Sequence, residues 1–243
     1  MANSFFRFKQ FLVKHDKCAM KVGTDGVLLG AWSNANNCNR ILDIGTGTGL
    51  IALMLAQRNK SALIDAIDIE ISATEQAMEN VKESPFSERI QVHLKALSDY
   101  TNDYTNTTTK YDLIVSNPPY FNQSLHSPNQ QRTTARHTDS LSLEELLSCS
   151  VRLISDKGRI SLIIPSEQEQ ELNELAELKR LTFIRKTHII PKPEAHSKRL
   201  MAELTPTNNI IEVCTTDKLL IEESRHKYSP EYIELTKDFY LNF

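Results

Sequence analysis

The chain spends its glycine in one place. Of seven glycines in 243 residues, six lie between Gly23 and Gly49, and only Gly158 stands apart. Glycine reaches positive φ and lets a backbone press close to a ligand, so this clustering predicts a built turn. Its densest part, Gly45-Thr46-Gly47-Thr48-Gly49, follows the short run Arg40-Ile41-Leu42-Asp43-Ile44 and precedes Leu50 to Gln57. The first run reads as a buried strand and the second as a helix.

The same alternation continues along the chain. Ala62 to Asp68 predicts a second strand, Ile71 to Lys82 a helix, Ile90 to Ala96 a third strand, and Tyr111 to Val115 a fourth that stops at Asn117-Pro118-Pro119. Proline cannot continue a central ladder. Ser142-Leu143-Glu144-Glu145 reads as a capping box opening a helix to about Ile154, and Ser166 to Glu169 as another opening a helix to Lys179. Gly158 to Pro165 is a fifth strand; Phe183–Ile190, Arg199–Leu204 and Ile210–Cys214 follow as further candidates. Tyr100 to Lys110, rich in Thr, Asn and Asp, reads as a surface loop, and Phe121 to Ser140 as a long functional one. Strand and helix at this spacing predict an α/β fold: a mostly parallel sheet with helices on both faces. We read residues 1–243 as a single domain, with an N-terminal extension and helix at 1–37 and a catalytic core at 38–243.

Such sheets hold ligands beyond the carboxyl ends of their strands. The glycine spacing is GxGxG, whereas a dinucleotide-phosphate loop is GxGxxG, and here its third slot would be Leu50. Asp43, just ahead of the loop, repels a pyrophosphate and suits an ammonium group. Asp68 ends the second strand, 23 residues after Gly45, where an acid accepts hydrogen bonds from ribose hydroxyls. A ligand with an amine, a ribose and no phosphate is S-adenosylmethionine. These residues resemble the class I methyltransferase family, whose first motif is DxGxGxG with an acid ending strand two. The resemblance implies a Rossmann-like seven-stranded sheet with an antiparallel strand near its C-terminal edge. It also implies a cofactor site at Asp43, Gly45, Gly47, Gly49, Asp68 and Ile69, with adenine near Ala96 and Leu97. A plain glycine turn without a ligand is the other reading.

Asn117-Pro118-Pro119-Tyr120 matches the (N/D)PP(Y/F) motif of methyltransferases that modify a planar nitrogen. The residue types suit that atom. The lone pair of an exocyclic amine is delocalised into its ring, and two acceptors aimed at its hydrogens favour the more tetrahedral nitrogen that attacks a methyl group. The Asn117 side-chain oxygen and the Pro118 carbonyl form such a pair. The prolines fix φ and so preorganise it, and Tyr120 can stack on a base. The tetrapeptide resembles those used on DNA adenine, RNA adenine or guanine, and protein glutamine. It names the atom more sharply than the substrate, and a Pro-Pro turn that merely ends a strand is the alternative.

Charge narrows the substrate. The net charge is −3, yet residues 1–21 carry five bases against Asp16, and residues 179–199 carry seven against Glu194. An acidic chain with two basic stretches can hold a polyanion locally, although both stretches also suit solvated faces. Phe6-Arg7-Phe8-Lys9-Gln10-Phe11 interleaves aromatics with bases, as nucleic-acid platforms do; it reads equally as a strand packing its phenylalanines. Thr24 or Asp25 is placed to cap the next helix.

From Phe6 to Leu241, and most strongly at residues 6–32, 42–49 and 117–120, the chain resembles one subfamily: bacterial enzymes that methylate N6 of the adenosine 3′ of the anticodon, adenosine 37, in a valine tRNA. The resemblance implies catalysis at Asn117, Pro118, Pro119 and Tyr120, tRNA as partner, and Lys21 and Thr24 near the methionine end of the cofactor. Arg7, Lys9, Arg132, Arg136, Lys192, Lys198 and Arg199 are the candidate RNA contacts. His137 could act as a base in a reaction that needs none. A glutamine methyltransferase of release factors is the runner-up, though about 40 residues before the first strand are too few for its helical accessory module. A noncatalytic protein that binds RNA and the cofactor is the third reading. Cys18, Cys38, Cys149 and Cys214 lie far apart, which predicts no metal module and reduced thiols in a cytoplasm. No apolar run reaches the roughly 18 residues a membrane helix needs.

Overall fold

The computed structural model describes residues 3–18, 21–104, 110–119, 141–209 and 213–243. A short hairpin, β1 (Phe5–Arg7) and β2 (Leu12–Lys14), leads into α1 (Thr24–Trp32). Then come β3 (Arg40–Ile44), α2 (Leu50–Arg58), β4 (Leu63–Asp68), α3 (Ile71–Lys82), β5 (Ile90–Leu94), α4 (Leu97–Tyr104) and β6 (Tyr111–Ser116). The second half holds α5 (Leu143–Leu153), β7 (Ile154–Pro165), α6 (Glu169–Leu178), β8 (Leu181–Ile190), β9 (Arg199–Pro206) and β10 (Thr215–Leu220). A small ribbon, β11 (Glu222–Ser224) with β12 (Lys227–Tyr228), precedes α7 (Pro230–Thr236).

The central sheet runs β10-β8-β9-β7-β6-β3-β4-β5. β9 is antiparallel to both neighbours, and every other pair is parallel. The fold is the Rossmann-like α/β sheet that the glycine-loop pattern implies, with the antiparallel strand near its C-terminal edge. It has eight strands where seven were expected. The extra one is β10, parallel to β8 at the edge. It lies after the expected Ile210–Cys214 strand: Val213 and Cys214 are outside any strand, and residues 210–212 lie outside the described ones. Two apolar layers sandwich the sheet. On one face α1, α2, the hairpin and α7 bury Phe8, Phe11, Leu28, Leu53 and Phe239; on the other α4, α5 and α6 bury Leu97, Leu146, Leu153 and Leu172. The helices α1 and α2 approach so closely that a Cβ at Gly30 would lie 2.7 Å from Met54 Sδ.

Some local expectations fail for identifiable reasons. Tyr100 to Tyr104 is not loop but the latter part of α4. Leu97, Tyr100 and Thr101 turn inward at helical spacing, and Tyr100, Tyr104 and Tyr111 form a stack. Residues 105–109 lie outside the described ones. The Ser142 box holds, since its hydroxyl accepts from Glu145 N. Ser166 does not cap α6; its hydroxyl meets Ser197 Oγ at 2.8 Å, and a 3-10 turn precedes the helix. The helix α1 is capped by neither Thr24 nor Asp25, because Gly23 holds the N-cap position. The fifth strand begins at Ile154, with an irregularity opposite Tyr111–Leu113, rather than at Gly158.

Candidate active site

Strands β3, β4 and β6 end side by side, and three chemically distinct turns leave from those ends. The first is the glycine loop. Gly45 N and Thr46 N both donate to Ile67 O, at 2.9 and 3.0 Å, and Gly49 N closes on Thr46 O at 2.9 Å. This path demands left-handed backbone: φ is +69° at Gly45, +58° at Gly47 and +81° at Gly49. The three glycines then differ. At Gly49 a Cβ would touch Ala77 of α3 at 3.4 Å, so that glycine serves packing. At Gly45 and Gly47 a Cβ would meet no atom of the described residues within 4 Å, so both backbones are open on that side.

Asp43 lies beneath the loop and is fully buried. Its Oδ2 accepts from Thr46 Oγ1 (2.6 Å) and from Ala52 N in the first turn of α2 (3.2 Å), while Oδ1 has no hydrogen-bond partner among the described residues. Burial raises its pKa to about 7, against those two donors, and the charge of Asp68 adds to the rise. Asp43 therefore shapes the loop from behind; it reaches a ligand through its charge and not through an exposed oxygen.

Asp68 is half-buried at the end of β4. Its Oδ2 accepts from Gly47 N (2.8 Å) and its Oδ1 from Glu70 N (3.0 Å). Each carboxylate oxygen keeps a second lone pair, so the acid can hold the loop and still accept from hydroxyls. Beside it Ile69 and Ile71 are 56% and 62% exposed, an apolar rim at the edge of the loop. Ala96 is half-buried at the start of α4. The Leu97 side chain is buried in the same apolar layer as Ile44 and Ile67, so only its backbone is placed to meet a ligand. Gly26 of α1 packs on Leu50, the residue after the glycine loop, and Lys21 and Thr24, which precede it, are exposed.

The third turn is Asn117-Pro118-Pro119, leaving β6 with Asn117 half-buried, Pro118 buried and Pro119 exposed. Tyr120 lies outside the described residues. The turn is tied to the glycine loop by Ser116, whose buried hydroxyl donates to Ile44 O at 2.9 Å. Ile44 immediately precedes Gly45, and the two residues face each other in register. Sequence reasoning missed Ser116; its signal was one hydroxyl closing an otherwise apolar strand end. It also missed Asn80, which is 1% exposed on the inner face of α3. The Asn80 amide donates to Thr48 O in the loop and to Lys14 O in the hairpin, each at 2.9 Å, and accepts from Lys14 N at 2.9 Å. A polar residue at helical spacing from Ala73 and Ala77 was the available sign.

The candidate RNA contacts fall into three groups. Arg7, Lys192 and Lys198 are exposed. Lys9 is instead a tether, its ammonium donating to Lys237 O (2.6 Å) and Phe243 O (2.9 Å). Arg199 pairs with Asp25 at 2.8 Å, fastening β9 to α1. Arg132, Arg136 and His137 lie outside the described residues. Phe8 and Phe11 are buried, whereas Phe5 and Phe6 are 39% and 36% exposed, so the hairpin packs only part of its aromatic set.

The arrangement is an open cradle of backbone beside an asparagine-diproline corner. The methyltransferase small domain family matches residues 21–186. A protein of Parabacteroides distasonis named tRNA1(Val) (adenine(37)-N6)-methyltransferase is 53% identical over 241 residues, covering 99% of both chains. One of the same name from Trichodesmium erythraeum is 45% identical over 245 residues, covering 100% of both chains. Among solved structures, a predicted O-methyltransferase of Agrobacterium tumefaciens superposes with a TM-score of 0.68 at 18% identity, over 88% of this chain and 96% of that one.

Proposed function

We propose that this chain, which belongs to the methyltransferase small domain family and within it to the tRNA1(Val) (adenine(37)-N6)-methyltransferases, methylates N6 of adenosine 37 in that tRNA with S-adenosylmethionine as donor. The observation that carries this reading is the 2.9 Å bond from Ser116 to Ile44. It sets the start of the glycine loop and the start of the asparagine-diproline turn against each other, so donor and acceptor sites share one rigid support.

The residues present fit the cofactor. The open backbone at Gly45 and Gly47 takes its methionine end, Asp68 accepts from the ribose, and Ile69 covers an adenine edge. Asp43, once ionised above about pH 7 or by the approach of the ammonium itself, supplies negative charge behind the loop. S-adenosylmethionine supplies an electrophilic methyl group on a sulfonium that is already a good leaving group. The protein's task is alignment, which is worth several kcal/mol in reactions of this type. The Asn117 side-chain oxygen and the Pro118 carbonyl accept the two N6 hydrogens and favour the nucleotide turned out of its stack. The N6 proton departs after attack, so no strong base is needed. Among the described residues no cluster of His, Cys, Asp and Glu suits a metal.

Transfer of tritium from labelled S-adenosylmethionine tests the substrate. Label should enter total tRNA, and nucleoside mass spectrometry should place it on N6 of adenosine 37. Label in protein would mean a glutamine acceptor instead, and no label would mean a binding protein. Asn117→Ala should keep cofactor affinity and lose turnover; unchanged turnover would dismiss the role of Asn117.

A further inference from the structure

At the opposite end of the sheet the parallel strands begin. Arg159 stands early in β7, in register with Leu113, and Arg185 stands within the first half of β8, in register with Glu203. The helix α1 connects the two ends. It starts beside the glycine loop, where Asp25 meets Arg199, and finishes at Trp32. The carbonyls of its last turn and of the two residues after it are taken by three arginines. Arg58 Nη1 donates to Gly30 O (3.1 Å) and to Ser33 O, Arg185 Nη2 to Trp32 O (2.8 Å), and Arg159 Nη2 to Asn34 O (2.9 Å). A helix C-terminus carries about half a negative charge, which one guanidinium more than balances. Three are assembled here, and exposed Lys157 adds a fourth cation.

Counter-charge is scarce. Glu203 is the carboxylate that lines this region, and it is 2% exposed and held by Arg185 and Ser161, both at 3.1 Å. Among the described residues, Arg58, Lys157 and Arg159 have no carboxylate within ion-pair distance. The Arg159 Nε–H is buried without an acceptor. Burial, and then the like charge of Arg185, hold the Arg58 guanidinium below its ordinary pKa, and the charge of Asp238 offsets them only in part. Between these groups opens a cavity of about 710 Å³, one wall of which is Trp32 with the Arg185 guanidinium 3.6 Å from its ring centre.

We propose that this cavity is an oxyanion site that binds a phosphate group between Arg58, Arg159 and Lys157. Arg58 spends Nη1 at the end of α1, and Arg159 spends Nη2 on Asn34 O just beyond it and on Cys38 Sγ at 3.7 Å; these bonds fix the guanidinium planes and leave the other terminal nitrogens for the anion. Preorganised guanidinium forks are the strongest protein ligands for phosphate oxygens. The site lies at the far end of the sheet from the asparagine-diproline turn and stands independently of the methyl-transfer reading. A free phosphate and a phosphodiester of bound RNA present the same oxygens.

Trp32 is the chain's one tryptophan, so the emission comes from a single ring, one that walls this cavity. The full chain would be titrated at constant ionic strength, with chloride as the balancing anion, first with inorganic phosphate and separately with a short oligoribonucleotide. A saturable change in Trp32 emission is expected. Saturation by inorganic phosphate assigns a free-anion site, and saturation by the oligoribonucleotide alone assigns a phosphodiester. Arg159→Gln should weaken the response about tenfold, the worth of one charge-assisted hydrogen bond. Lys157→Gln alters an exposed side chain that the fold does not need, and should weaken it less but measurably. No saturable change with either titrant, or a response equal in parent and Lys157→Gln and Arg159→Gln, overturns the proposal.

Discussion

Replacing Asp43 by asparagine separates what the buried carboxylate does for the fold from what it does for the cofactor. Burial lifts its pKa from 3.8 to about 7, although Thr46 and Ala52 donate to it. The folded value thus lies above the unfolded one. Below about pH 4 both states hold the proton and the group adds no pH dependence. Between there and about pH 7 the folded state keeps a proton that the unfolded state has released, so stability falls as pH rises. At about 1.4 kcal/mol per pH unit, ionising this one group costs on the order of 4 kcal/mol by pH 8. Asp43→Asn retains an acceptor for Thr46 and Ala52 and cannot ionise. The gap between variant and parent should therefore move by about 3 kcal/mol in the variant's favour from pH 4.5 to pH 8, or on the order of 10 °C in melting temperature for a chain of this size. Thermal unfolding followed by circular dichroism from pH 4.5 to 8 measures both curves. If parent and variant run parallel across that range, the ionisation of Asp43 is not what shapes the parent's stability. Isothermal titration of the same pair should show the variant binding S-adenosylmethionine more weakly, since the charge behind the loop is gone.

Three further outcomes are expected. Gly47→Ala adds a Cβ that clashes with no atom of the described residues but forces φ +58° on an alanine, so it should cost about 1–2 kcal/mol of stability and a much larger share of cofactor affinity. Calorimetry of both quantities checks this, and an unchanged Kd would remove Gly47 from the cofactor surface. Ser116→Ala should lower turnover about tenfold with cofactor affinity nearly intact, because it loosens one turn against the other by one buried hydrogen bond; equal turnover would show the hydroxyl idle. At Asp65, burial pushes the pKa up, but His93, Tyr111 and Arg40 outweigh it and hold the carboxyl below its ordinary value. Its stabilisation is therefore present above about pH 4 and lost as pH falls through the folded value. Asp65→Asn strands Arg40 and should cost about 3 kcal/mol at neutral pH, measurable by urea unfolding, and the variant should show a shallower loss on acidification.

The parts legible in the sequence are those where backbone geometry leaves a residue no choice. Three glycines in left-handed backbone, an acid at a strand end and two prolines closing another strand each follow from φ or from a missing N–H, and all three fall where the pattern places them. What stayed hidden depends on partners far along the chain. The helix α4 is polar by composition, and only its stack on Tyr111 and the burial of Leu97 and Tyr100 make it a helix. The strand β10 exposes Thr215 to Lys218 and buries little besides Leu219, so nothing local marks an edge strand that exists by pairing with β8. Lys9 looked like a phosphate contact because a sequence shows its charge and not the carbonyls of Lys237 and Phe243 that take it. Asp68 is the mixed case: its place was readable, but its bond to Gly47 was not.

The tethering of the hairpin carries a consequence for biosynthesis. Asn80 can clasp Lys14 as soon as α3 exists, but Lys9 waits for the carbonyl of Lys237 and Phe8 waits for Tyr240. The hairpin is thus secured by residues translated 228 positions later. A nascent chain therefore carries a loosely held hairpin until α7 and the residues after it have been made.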